Sequence, residues 1–420
     1  MNLRHLALFA AFVVVACTPS EELAEGDGTW VGDITTHENV TTVLNESGSV
    51  WGGPARLIEE ASIGVEAGED PYMLGNIEGV AVAGERIYVL DRTVNTVRVY
   101  DLSGSHLMDV GRAGQGPGEF ENPYLLAVSP AGDVAVRTFA GVELFDSDGT
   151  HLRSVNEPGG IILPFLFDND GTVYVPASWA DDASGSRQSG HVTIRPDGSR
   201  GERIPGPSLV DWRPWALMAQ GNGRSRQQSV PFSPSTVSTL APSGAVVQGA
   251  SDAYRLEVRN PDGSVRVIER RVDGLPVSGV ELAWHEAMTE LIMRRLQPDW
   301  TWNANPIPAT KPFFRRFYVD TEGVLWVRRI VRSEAVPDCD ANPGDAIAEE
   351  RPPVPCFRDI EGFDVFGQDG RFHGSVELPA MSLVAEPAIL GDTVLLAGED
   401  ESGVIMVKRY RLLRPEDSGQ

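Results

Sequence analysis

The stretch EGVAVAGERIYVLDRTVNTVRVYDLSG, residues 78–104, contains short strands of alternating apolar residues separated by tight turns. A glycine-led turn followed by such a strand is the signature of a β-hairpin. The same signature, GERIYVLD at residue 84, recurs as GDVAVRT at 132, GTVYVPA at 171, GAVVQGA at 244, GVLWVRR at 323 and GDTVLLA at 391. This repeat predicts six similar structural units.

A second signature, an apolar strand that runs into a turn, follows in the first five units. Its copies are VRVYDLSG, VELFDSDG, VTIRPDG, LEVRNPDG and FDVFGQDG, whereas VIMVKRYRLL in the sixth unit runs toward the chain end. Each unit therefore reads as a four-stranded antiparallel meander, and short meanders bury their faces by packing radially as propeller blades. We predict an all-β fold, a six-bladed β-propeller. The strand around 55–63 completes the last blade, and one helical insertion separates blades four and five.

The glycine-rich stretch GRAGQGPGEF, residues 111–120, lies between the first two units. Gly111 and Gly116 have the spacing of a phosphate-binding loop, but Pro117 and Gly118 occupy the places of its Lys and Ser or Thr. We therefore interpret the stretch as a joint between blades, where glycine permits the backbone angles of a tight crossing.

The joint and the first unit resemble a known family. The GPGEFxxP pattern that ends at Pro123 is similar to the blade joint of NHL-type propellers, and residues 78–104 resemble an NHL-type blade with Asp91 and Asn95 in one loop. The resemblance to six-bladed (NHL/TolB-like) bacterial lipoproteins covers roughly residues 55–412. It implies a fold but no single activity, because propellers host lyases, lactonases, sensors and inert scaffolds alike.

The N-terminus has the pattern of a secretory signal. An apolar run from Leu6 to Ala16 follows Arg4 and His5, and Val14 to Cys17 resemble the lipobox of bacterial lipoproteins. We expect a signal peptide over 1–16, a lipidated Cys17 with a flexible acidic linker over 17–53, the propeller over 54–414 and a tail over 415–420. An ordinary signal peptide is the alternative. The expected location is the cell envelope, with the outer membrane favoured.

Two further cysteines, Cys339 and Cys356, form an even pair in a chain bound for an oxidising compartment. We predict a disulfide, which for a loop of roughly 15 residues contributes about 3 kcal/mol in the entropic model. A metal pair is the alternative, although no His or other Cys is close in sequence.

The formal net charge of -25 and the lack of a basic run exclude nucleic acid as an expected partner. The remaining candidates are the membrane, through the lipid, and a protein, carbohydrate or small molecule, with the chain acting as a monomer. No cofactor is expected, and no catalytic residue is assigned. The alternative is a lactonase-like hydrolase or lyase with Ca2+ or another divalent metal in the central channel.

All long insertions fall in loops that a meander places on one face, namely the loops between strands two and three and between blades. One of them contains a predicted helix over 278–297, capped by Ser278, with Trp284, Met288, Leu291 and Ile292 on its inner side. His285 and Glu286 begin a zinc-protease motif that Thr289 breaks. The candidate ligand-binding residues on this face are Asp91, Arg92, Asn95, Arg112, Trp179, Trp212, Arg213, Trp215, Trp284, Trp300 and Trp302. The alternative is that these tryptophans form the core of a lid.

Overall fold

A computed structural model describes residues 28–156, 164–180, 187–206, 215–349, 351–400 and 402–419. The predicted signal peptide and Cys17 therefore lie outside the described residues. No helix in the described part of the chain is long and apolar enough to cross a membrane.

The chain forms the predicted six-bladed propeller, and each blade is an antiparallel sheet. Blade 1 consists of Ile77–Ala83, Arg86–Asp91, Thr96–Asp101 and His106–Val110. Blade 2 consists of Leu125–Val128, Val134–Arg137, Val142–Phe145 and His151–Val155. Blade 3 consists of Leu166–Phe167, Val173–Ala180, Arg187–Ile194 and Arg200–Pro205.

The second half of the ring follows the same plan. Blade 4 consists of Thr236–Leu240, Val246–Ala250, Arg255–Arg259 and Val265–Arg270. Blade 5 consists of Arg316–Val319, Leu325–Ala335, Phe357–Phe366 and Phe372–Glu377. Blade 6 consists of Ser382–Leu383 with Ala388–Leu390, then Thr393–Glu399, Ile405–Leu413 and Arg56–Ile63. The strand before blade 1 thus closes blade 6, as the spare strand in the sequence predicts.

The joint GRAGQGPGEF is a compact loop in which Arg112–Ala113 pairs in parallel with Glu119–Phe120. The Glu119 carboxylate accepts the Gly116 N–H at 2.9 Å and pairs with Arg112 at 2.8 Å. Gly111 has a φ of 72°, and a Cβ there would lie 2.3 Å from the buried Phe120 ring. Only glycine combines this backbone angle with this close approach.

Residues 31–63 form an N-terminal belt that spans three blades. The hairpin Val31–His37 and Val40–Ser47 extends blade 4, because its second strand pairs in parallel with Val265–Arg270. The chain then follows the outer strand of blade 5, where Trp51 N–H donates to the His373 carbonyl at 2.9 Å, before it enters blade 6. The flexible linker predicted over 17–53 is therefore wrong for residues 31–53. Alternating β-branched residues follow the acidic tract there and pair with a blade edge.

Two helices, α1 (Gly279–Arg294) and α2 (Pro343–Ala348), lie in the insertions before and within blade 5. Ser278 caps α1 in a capping box with Glu281, as the sequence predicts. The buried residues of α1 are Glu281, Thr289 and Met293, whereas the predicted inner residues are half-buried. That prediction is wrong because the helix contacts insertions on several sides, and its deepest residues include an ion-paired glutamate. At the C-terminus, Pro415–Gly419 forms a 3-10 helix within the predicted tail.

Candidate functional site

The long insertions pack against one another on one face of the disc, which we call the insertion face; the opposite side is the plain face. We define the cap as the hairpin Ala216–Gly221 and Arg224–Ser229 with its flanks to 232, the segment 272–312 and the loop 336–356. Its own apolar core contains Leu217, Val230, Met293, Trp300 and Ile307. The sequence predicts that the long insertions lie on one face of the propeller, and the described parts of the cap lie together on that face.

Three of the six predicted tryptophans belong to the apolar core of the cap. Trp300 is buried and donates its indole N–H to the Met218 carbonyl at 2.7 Å. Trp302 packs edge-to-face on Trp300 with ring centroids 6.1 Å apart, and Trp215 lies against the same core. Of the two interpretations of these three rings, the lid core describes their positions. They are not arranged as a stacking platform.

Trp284 joins α1 to the disulfide loop. Its indole N–H donates to the Pro353 carbonyl at 2.9 Å, and its ring packs edge-to-face on Phe357. Cys339 and Cys356 form the predicted disulfide, with a Cα–Cα distance of 4.9 Å, and close the loop that carries Pro353. The indole therefore connects α1 to the loop that the disulfide closes.

The candidate residues of blade 1 stabilise their own loop. Asp91 is fully buried, and its carboxylate accepts the backbone N–H groups of Gly75, Asn76 and Thr93 at 2.9–3.2 Å. Asn95 adopts a φ of 52°, which suits an asparagine in a tight turn. These contacts are those of a loop that is held in place by its own side chains.

Two of the three candidate arginines are already paired. Arg92 pairs with Glu78 at 3.0 Å, and Arg112 is exposed and pairs with Glu119 inside the joint. The guanidinium of Arg203 lies 5.7 Å from the centroid of the Trp179 ring in blade 3. Trp212 and Arg213 lie outside the described residues. The structure therefore does not bring the nine described candidates together into one pocket.

A buried ion cluster beneath the cap was missed by the sequence analysis. The Lys311 ammonium donates to Glu281 of α1, to Asp359 of blade 5 and to Ser333 Oγ, the last at 2.6 Å. Burial opposes ionisation of Glu281, but hydrogen bonds from Lys311 and Ser278 lower its pKa below the ordinary value. The only available signal in the sequence was the rarity of lysine, since Lys311 and Lys408 are the two lysines of the chain.

This cluster connects α1 of the cap to blade 5. Lys311 donates to the carboxylates of Glu281 and Asp359, and the Ser333 hydroxyl also donates to Asp359, at 2.7 Å. Burial lowers the pKa of His285, whose ring packs on Phe232 at 4.7 Å, although Asp359 and Glu281 are nearby. His285 is therefore a neutral packing residue between two insertions, in agreement with the broken zinc motif.

Carboxylates beside the inner strand of blade 5 are occupied by arginines. Glu361 pairs with Arg315 at 2.8 Å and with Arg328, and Glu386 pairs with Arg316 at 3.2 Å. Among the described residues, no group of three or more His, Cys, Asp or Glu side chains is placed to hold a metal ion. The Asp-rich turns use their carboxylates on their own backbone, as Asp168 does with the N–H groups of Asp170 and Thr172.

The exposed apolar side chains of the insertion face were also missed. Val280 and Val354 are 52% and 47% exposed, and they flank the hydrogen bond between Trp284 and Pro353. In the loop between strands two and three of blade 2, Phe139 is 68% exposed and packs on Tyr124 with ring centroids 5.3 Å apart. A partner that covered these side chains would bury their apolar surface.

Comparisons with known proteins agree with this architecture. Residues 67–128, which span blade 1 and the start of blade 2, match the DUF5128 family model, described as a 6-bladed beta-propeller. No curated protein matches the chain in sequence. The recognised fold, a six-bladed propeller, is thus confirmed, whereas this short match does not extend to the whole chain.

Solved structures similar to this chain include three propellers of low sequence identity. A DUF4221 family member from Bacteroides vulgatus is 10% identical, with a TM-score of 0.44, and the match covers 86% of this chain and 99% of that one. A Bacteroides fragilis protein described as a candidate exported protein is 11% identical, with a TM-score of 0.44 over 88% and 99%. Virginiamycin B lyase from Staphylococcus aureus is 11% identical, with a TM-score of 0.38 over 80% and 95%. At these values the likeness concerns the fold alone.

Proposed function

We propose that this protein is an exported propeller, attached to a membrane of the cell envelope through Cys17, that binds a protein partner with its insertion face. The observation that carries the proposal is the cap. The hairpin and the segment 272–312 share one apolar core, and the Trp284 hydrogen bond joins α1 to the loop that the disulfide closes. The Lys311 ion cluster attaches the same segment to blade 5. A surface held in so many ways loses little conformational entropy on binding.

The contact area we assign is the outside of the cap rather than its tryptophans. Val280 and Val354 present apolar surface at the point where α1 meets the disulfide loop. A partner that covers these water-exposed valines makes the free energy of binding more favourable, by about 25 cal/mol for each Å² of apolar surface buried. The anchor and its acidic tether, TPSEELAEGDG, would hold this surface away from the lipid.

A photo-crosslinking experiment in the native host tests the binding surface. A photoreactive amino acid is placed at Val280 or Val354, and at Asp148, an exposed turn residue of the plain face, as the control. We expect a discrete crosslinked species from the first two positions and none from the third. Crosslinks of equal yield from all three positions, or from none, would contradict the proposal.

The membrane anchor is tested separately by labelling cells with radioactive palmitate. We expect label in the wild-type protein and none in Cys17→Ala, which should also leave the membrane fraction. Equal labelling of the variant would show that Cys17 is not the lipidated residue, and the crosslinking result would be unaffected.

A further inference from the structure

The junction between blades 3 and 4 differs from the other junctions of the ring. Hydrophobic core clusters connect blades 1 and 2, 2 and 3, 4 and 5, 5 and 6, and 6 and 1. Within the described residues, no such cluster connects blades 3 and 4. A cleft of about 620 Å³ lies there instead, on the plain face, and a second of about 450 Å³ adjoins it.

Strand alternation explains why this junction stays open. In blade 3, Val173 and Val175 face blade 2, so the intervening Tyr174 and its partner Thr193 face blade 4. In blade 4, Val237 and Val247 face blade 5. The residues Ser238 and Gln248, which pair with each other, therefore face blade 3. Polar residues thus interrupt this junction, where Ser238 and Gln248 stand beside the apolar pair Leu240 and Val246, and no continuous apolar core joins the two sheets among the described residues.

The cleft combines acidic groups with apolar walls. The ionisable acids that line the larger cleft are Asp168 and Asp170, and Glu202 adds a third carboxylate in the adjoining one. Arg195, in the smaller cleft, donates to the Ser199 hydroxyl and the Arg200 carbonyl. The apolar walls are formed by Ile204, Leu240, Pro242, Val246 and Pro261.

Tyr174 stands between these two types of lining and contributes to both clefts. Burial raises the pKa of its phenol, and the neighbouring Asp168 raises it further. The hydroxyl thus lies beside Asp168, while the ring offers a face to a cation.

We propose that this cleft is a second binding site, which takes an extended peptide segment carrying basic and apolar side chains. Its volume lies in the range of natural ligand sites, roughly 300–1,000 Å³. Charge complementarity selects the occupant, because the lining is acidic and the whole chain carries -25. The site lies on the plain face, and it is independent of the cap and of the function proposed for it.

The test uses a fluorescently labelled pentapeptide of alternating arginine and leucine as the probe. The same peptide with citrulline in place of arginine keeps the shape and removes the charge. We expect the arginine peptide to bind the purified protein, and the citrulline peptide to bind at least about tenfold more weakly, since it loses its charge-assisted hydrogen bonds.

Matched variants locate the binding. Asp170→Asn with Glu202→Gln should weaken binding several-fold, and Ser243→Trp, which fills the cleft, should abolish it. Asp148→Asn is the control, because Asp148 of blade 2 occupies the turn position that Asp170 occupies in blade 3. The Asp148 backbone N–H donates to Asp146 Oδ1 at 3.0 Å, as that of Asp170 does to Asp168 Oδ1 at 2.9 Å. Absence of binding up to millimolar peptide overturns the proposal. So does an equal loss in Asp148→Asn, which would indicate attraction to the net charge alone.

Discussion

Asn45 connects the N-terminal belt to two blades, and its replacement is the most informative test of the belt. The side chain is buried, and its Oδ1 accepts the indole N–H of Trp30 and the backbone N–H of Phe372, both at 2.7 Å. Its Nδ2 donates to the carbonyls of Glu269 in blade 4 and Gly370 in blade 5, at 3.1 and 3.2 Å. One amide group thus serves the belt, the outer strand of blade 4 and the last turn of blade 5.

The expected cost of Asn45→Ala follows from these four partners. An unsatisfied buried N–H at Phe372 costs about 1–3 kcal/mol, and each of the other lost bonds costs about 0.5–1 kcal/mol where water can partly replace it. We expect the free energy of unfolding to fall by about 3 kcal/mol. For a domain of this size, that lowers the melting temperature by about 4 °C. Asn45→Asp should cost at least as much, because it keeps the acceptor but turns the donor into an oxygen that faces two carbonyls.

Differential scanning calorimetry measures the shift, and Asn39→Ala is the matched control. Asn39 lies in the turn of the same hairpin and donates one exposed hydrogen bond to the Gly263 carbonyl, at 2.7 Å. Its loss should lower the free energy of unfolding by less than about 1 kcal/mol. If the Asn45→Ala and Asn39→Ala proteins melt at the same temperature, the four hydrogen bonds of Asn45 do not stabilise the protein.

Three further outcomes are expected. Lys311→Met should destabilise the cap by about 3–5 kcal/mol, because it leaves the buried Glu281 carboxylate without its cation, while Asp359 keeps a contact with Arg315 at 3.9 Å. Hydrogen exchange should then speed up over 279–294, and the added Glu281→Gln should restore part of the protection; unchanged exchange would argue against the ion cluster. Replacing both Cys339 and Cys356 by serine should lower the free energy of unfolding by about 3 kcal/mol and make the loop between them sensitive to protease, with the Asn39→Ala protein as a disulfide-intact comparison. Burial lowers the folded-state pKa of His191 below 6.5, so the unfolded chain binds more protons than the folded chain. The free energy of unfolding should therefore fall as the pH drops below about 6.5, by at most about 1.4 kcal/mol per pH unit. His191→Gln should flatten that slope in urea unfolding measured from pH 7 to 5, and an unchanged slope would assign the effect to other groups.

The blades and the joint could be predicted from local sequence patterns, and the disulfide from the number of cysteines. A turn such as that at Gly84 and the alternation around Tyr88 depend on neighbouring residues, and six copies of one unit leave few architectures that bury them. The closing strand Arg56–Ile63 followed from the same count, because the last unit lacked a strand. The placement of the insertions on one face followed from the order of strands in a meander.

The sequence did not reveal which residues of the candidate site would be used internally. In the sequence alone, Trp300 fits either a ligand platform or the core of a lid. The position of the hairpin that supplies the Met218 carbonyl decides between the two. Asn45 looks like one polar residue in a tail, and its role depends on Gly370, which is 325 positions away. Lys311 and Glu281 meet Asp359 only because the segment 272–312 folds over blade 5.

The sequence by itself therefore determined the number of blades, their hairpins and the side on which the insertions lie, since turn chemistry and strand period act between near neighbours. Only the tertiary structure decided that the belt spans three blades, that the tryptophans fill the cap, and that polar strand faces leave one junction open. Those features depend on contacts between segments far apart in the chain. Their free energy comes from burial and pairing, which exist only once the ring has closed.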